Sequence, residues 1–178
     1  MEMKKFLLFV SAITMAIGLT ACSSNDEAKT DKKEAAEETA SKVDVKKELV
    51  RFYMDLGNKI NAKDADLNAY VAKATKEDAT PEELPTAEDR AKASESAASV
   101  AAELKTYQVP ASLKDKKADL DAAIKDFAAS YQAKADELKK ETPNFDAATA
   151  TFTQGEEKLG KVYESEKLLP PSVDKQVN

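Results

Sequence analysis

From residue 45 to residue 163 the apolar side chains recur at steps of three and four, and every proline of the chain falls between or after these runs. That pairing leaves little freedom. A 3.6-residue period places the apolar positions on one stripe of a helix, and proline breaks a helix wherever it sits inside one. The first run reads Val45, Leu49, Phe52, Leu56 and Ile60, then Leu67, Tyr70 or Val71, and Ala74. Lys63 stands where the stripe should continue, among Asn61, Asp64 and Asp66, so a kink or weak turn is expected there. Pro81 and Pro85 confine the next stretch to a loop. Thr86 with Asp89 three residues on forms a box-like N-cap for a second helix, which Pro110 stops. Its face is mostly alanine, with Val100 and Leu104. Ser112 and Asp115 are read as the cap of a third helix carrying Leu113, Leu120, Ile124, Phe127, Tyr131, Ala135 and Leu138. After Pro143 a fourth carries Phe145, Ala148, Phe152, Leu159 and Val162, and Pro170-Pro171 closes the ordered part. No stretch alternates as a strand would. The pattern predicts an all-α chain, an antiparallel up-and-down four-helix bundle with helices over about 43–74, 87–108, 113–141 and 144–168.

The N-terminus follows a different logic. Lys4 and Lys5 precede an uncharged run from Phe6 to Ala21, too short for a membrane span of about 20 residues but suited to the h-region of an export signal. The run ends Leu19-Thr20-Ala21-Cys22. This resembles the lipobox of bacterial prolipoproteins, over the first two dozen residues only. The resemblance implies cleavage before Cys22, a diacylglyceryl group on the Cys22 thiol, further acylation of palmitate type, and a protein anchored to the cell membrane on its extracytoplasmic side. Ser23 is not the Asp that retains some lipoproteins at the Gram-negative inner membrane. Only Arg51 and Arg90 break the lysine monopoly among the basic residues, which favours a Gram-positive surface.

These features divide the chain into a signal peptide (1–21), the lipidated Cys22 with a tether (22–42), and a folded domain (43–178). From Ser23 to Lys42 there is no Val, Ile, Leu, Met or aromatic residue, so the segment cannot bury enough apolar surface to offset its ordering entropy. A disordered spacer is expected, with a frayed helix over 34–40 as the alternative its Ala and Glu content allows. The whole chain has 27 basic and 33 acidic residues. Loss of Lys4, Lys5 and Glu2 with the signal leaves 25 against 32, net −7. That balance argues against nucleic acid as a partner and offers no basic patch for anionic lipid headgroups.

Chemistry is limited by what is missing. There is no His, and the one Cys is Cys22, so zinc sites of His and Cys, Cys–His nucleophile pairs and disulfides are excluded. Asp64-Ala65-Asp66-Leu67-Asn68 opens like a calcium loop, but Ala69 and Thr75 occupy the positions that need Gly and Glu. Neither a phosphate-binding glycine loop nor a serine elbow is present. The expectation is a non-enzymatic protein without metal or cofactor. Its binding partner would be an envelope protein, or a small ligand held in a hollow formed where Gly155 interrupts the apolar stripe near Tyr53, Tyr131 and Tyr163.

Overall fold

The structure is a computed structural model that describes the backbone of residues 30–177 and the side chains of residues 45–177. It is all-helical, and no strand occurs among the described residues. The elements are α1 (Thr30–Asn61), α2 (Ala65–Ala74), α3 (Ala87–Thr106), a 3₁₀ turn (Ala111–Lys116), α4 (Lys117–Glu137), α5 (Asp146–Ser165) and the short α6 (Asp174–Val177). α2 packs on α3, α3 on α4 and α4 on α5, while α1 touches α3, the 3₁₀ turn and α6. No described helix is long and apolar enough to cross a membrane.

The apolar stripes meet in one core. Leu49, Phe52, Leu56 and Ile60 of α1, Ala97, Val100 and Leu104 of α3, Leu120 and Phe127 of α4, and Leu159 of α5 are all essentially inaccessible. The alanine face of α3 explains how α3 and α4 approach closely. Ser94 donates to the Ala135 carbonyl at 2.8 Å, a bond that only a short side chain at that seam can make. Across the next seam, Ser130 donates to the Ala148 carbonyl at 2.6 Å.

Local signals account for several boundaries. The Thr86 side chain accepts from the Asp89 backbone N–H at 3.1 Å, and the Thr86 N–H donates back to the Asp89 carboxylate at 2.8 Å. This reciprocal capping box starts α3 and holds the Asp89 carboxyl well below the usual range. The break expected around residues 61–66 is a turn at Ala62–Asp64, where the Asp64 N–H donates to the Ile60 carbonyl at 3.1 Å.

α1 begins at Thr30, so its backbone includes residues 30–42 of the segment expected as a spacer, where a helix is the alternative that the alanine and glutamate content allows; residues 22–29 lie outside the described part. One expectation fails. Ser112 does not cap a helix. The chain there makes a 3₁₀ turn with non-helical geometry at Leu113, and the Ser112 hydroxyl donates to Glu48 of α1 at 2.9 Å. Burial of Leu113 sets that turn, and tertiary packing overrides the local capping signal.

Candidate functional site

The expected hollow does not form around Gly155. A Cβ there would stand 2.8 Å from the Phe127 ring and 3.2 Å from the Ala123 carbonyl oxygen, so the missing side chain is replaced by Phe127 itself. Phe127 in turn packs on Phe152 with ring centroids 4.9 Å apart. Glycine at this position lets α4 and α5 close on each other.

The structure brings Tyr53 and Tyr163 together and leaves Tyr131 apart from them. Tyr53 donates to the Ser172 carbonyl at 2.8 Å and Tyr163 to the Leu49 carbonyl, which ties α1 to the C-terminal segment and to α5. Burial pushes the hydroxyl pKa of both upward. Tyr131 lies elsewhere, edge-on to Phe152 at 6.2 Å. Cys22 falls outside the described residues.

Tyr131 belongs to a cluster that the sequence reading did not assemble. Asp64, at the start of α2, is only 2% exposed, and its Oδ2 has no hydrogen-bond partner among the described residues. Burial raises the Asp64 carboxyl above its ordinary range, partly opposed by Asn68 and by the charge of Lys134. Lys134 on α4 lays its ammonium over the rings of Tyr131 and Phe152, 5.0 and 5.6 Å from their centroids. Burial lowers its pKa, while Asp174 and Asp64 pull it back up. Tyr131 is raised by burial and by the same two carboxylates. The Asp64 carboxylate from the start of α2 and the Lys134 ammonium and Tyr131 phenol, both from α4, therefore share one poorly solvated environment. The only sequence signal was Asp64 at a helix break, which reads equally well as a solvated turn.

The second feature is a surface groove of about 740 Å³ along α4 beside the C-terminal end of α3. Leu104, Ile124 and Ala128 form its floor, with Ala129 and Ala133 above them. Tyr107 closes one end by stacking edge-on against Phe52 and donating to Asp55 at 2.7 Å. The rim carries Lys105, Lys117 and Lys125 against Asp121 and Asp136, a local excess of positive charge on an acidic chain. Lys117 is paired with Asp121 and Lys105 donates to Gln132. Lys125 is exposed and makes no ion pair among the described residues.

No group of His, Cys, Asp or Glu among the described residues is arranged to hold a metal ion. No protein-family model, curated protein or solved structure matches the chain.

Proposed function

We propose that the chain is an extracytoplasmic lipoprotein, held to the cell membrane by acyl chains on Cys22, whose helical domain is a binding or scaffolding module at a Gram-positive surface. In this reading α1 and α2 count as one broken helix, and with α3, α4 and α5 they form an antiparallel four-helix bundle. The connections over 107–116, which include the 3₁₀ turn, and over 138–145 support that order, because links of this length leave consecutive helices antiparallel.

The observation that carries the binding role is the groove on α4. From Lys117 to Asp136 it follows about 28 Å of helix at 1.5 Å per residue, and its small alanines admit another backbone closely. Its occupant is an amphipathic helix of an envelope protein, the apolar face laid on Ile124 and Ala128 and acidic flanks meeting Lys105 and Lys125. A photo-crosslinking residue at Ala129 in intact cells should yield an adduct whose peptide is such a helix, and Ala133→Glu should abolish it. An adduct insensitive to that change, or none to any other protein, refutes the assignment. The anchor is tested apart from the groove: a Cys22→Ser chain that stays with the membranes rules out lipidation.

The unpartnered Asp64 oxygen beside Lys134 and Tyr131 supports a second reading, a small-ligand-binding lipoprotein with its site in the interior. A panel of small amines and carboxylates that shifts the melting of the wild type and of Asp64→Asn equally removes it.

A further inference from the structure

The C-terminal segment crosses back over α1 and α2 as a strap. Val173 and Val177 are buried, and side chains of the bundle hold its backbone: Tyr53 donates to the Ser172 carbonyl at 2.8 Å, Asn61 to Gln176 at 3.1 Å and Asn68 to Val177 at 2.8 Å. Glu156 of α5 accepts from the Ser172 hydroxyl and the Asp174 N–H. Gly57 completes the furrow. A Cβ there would stand 2.1 Å from the Gln176 amide, so the glycine is the notch into which the Gln176 side chain fits.

These hydrogen bonds and both buried valines lie within residues 172–177, and the link that delivers them leaves α5 through one left-handed residue. α5 ends with the Leu168 N–H donating to the Tyr163 carbonyl at 2.9 Å, a closing turn that places Lys167 at φ 58°, where glycine is the usual residue. Pro170-Pro171 then keeps the chain extended, and Leu169 is 88% exposed. Straightening the turn at Lys167 relieves the left-handed geometry and projects the strap away from its own furrow, over about 17 Å of extended chain from Lys167 to Ser172.

We propose that the furrow formed by Tyr53, Gly57, Asn61 and Asn68 also takes the Ser172–Val177 strap of a second copy, giving a reciprocally strap-exchanged dimer. The Ser172–Val177 contacts are remade between chains, so the hinge geometry, the packing of Leu168 and Pro170 and the loss of tethering distinguish the two states. A short tether presents its strap at an effective concentration in the millimolar range, so exchange needs crowded chains. Crowding on a membrane rests on the lipid-anchor reading; recognition of the strap does not.

The test uses two differently tagged full-length chains, one carrying Asn61→Cys and the other Gln176→Cys, treated with a short bis-maleimide. It is run in cells expressing both, and on the purified pair at about 1 mM, the regime that the tether sets. Chains without added cysteine control for Cys22, and a chain carrying both changes must cross-link internally to show that the strap docks. A two-tag dimer is expected in both settings. Lys167→Gly should reduce it several-fold, and pairing Gln176→Cys with Glu95→Cys should give none. A dimer at 1 mM but not in cells upholds exchange and removes the crowding argument alone. Internal cross-linking of the double variant with no two-tag dimer in either setting overturns the proposal, as does a dimer that survives Val173→Asp.

Discussion

Gly155 and Gly160 lie five residues apart on α5, both buried, and the structure assigns opposite signs to the same substitution at the two sites. Alanine in a helix interior is worth about 1 kcal/mol over glycine, and that gain is common to both. At Gly160 the new methyl would meet Pro170 at 3.4 and 3.9 Å, ordinary contact, so Gly160→Ala should raise stability by most of that amount. At Gly155 it would meet two Phe127 ring carbons at 2.8 and 2.9 Å and the Ala123 carbonyl at 3.2 Å. The ring is fully buried and wedged against Phe152, so neither it nor the α4 backbone yields easily. Overpacking of this kind costs about 1–3 kcal/mol, which leaves Gly155→Ala destabilised by about 1 kcal/mol after the helix gain. For a domain of this size that is a fall of roughly 3–5 °C in Tm, against a rise of similar size for Gly160→Ala. Urea and thermal unfolding followed by circular dichroism read both. Shortening the ring should expose the cause: in a double-mutant cycle Phe127→Leu and Gly155→Ala should couple favourably by at least about 0.5 kcal/mol. If Gly155→Ala stabilises as much as Gly160→Ala, or the cycle shows no coupling, then α4 and α5 do not meet through Phe127 as described.

Three further outcomes are expected. Thr86→Ala removes the capping box and should cost about 1 kcal/mol in urea unfolding, with Thr86→Ser recovering most of it. Ser130→Ala deletes a buried bond to the Ala148 carbonyl and should cost about 0.5–1.5 kcal/mol, whereas the bulkier Ser130→Val should cost more because it forces α4 and α5 apart. Burial holds the Asp64 carboxyl above its ordinary range, so the folded chain keeps a proton at pH values where the unfolded chain has lost it. Stability therefore falls as pH rises from the unfolded pKa to the folded one. Asp64→Asn should flatten that limb of the stability–pH curve and leave the protein more stable at neutral pH.

The helices were legible because their signals are local. Thr86 and Asp89 lie three residues apart, and the prolines mark where no helix can continue. Where a distant contact decides, the same signals mislead. Ser112 has the form of a cap but bonds to Glu48, sixty-four residues away, because Leu113 is drawn into the core. Gly155 is unusual on its stripe, yet a hollow and a tight contact look alike until the facing residue is known, and that residue is Phe127.

Asp64 and Lys134 show why the interior cluster was out of reach. Each stands in a charged stretch that reads as solvated surface, and lysine or aspartate every few residues is the ordinary composition of this chain. What makes these two different is a shared environment assembled by α2, α4 and the C-terminal segment. A buried charge without a close partner costs several kcal/mol, so a fold tolerates one only where something offsets it. Here Lys134 rests on two aromatic faces, which stabilise a cation, and the Asp174 and Asp64 charges add to that. Asp64 has no such support on its Oδ2. The asymmetry places the strain on the carboxylate rather than the amine, so substitution at Asp64 should alter the protein's response to pH more than substitution at Lys134.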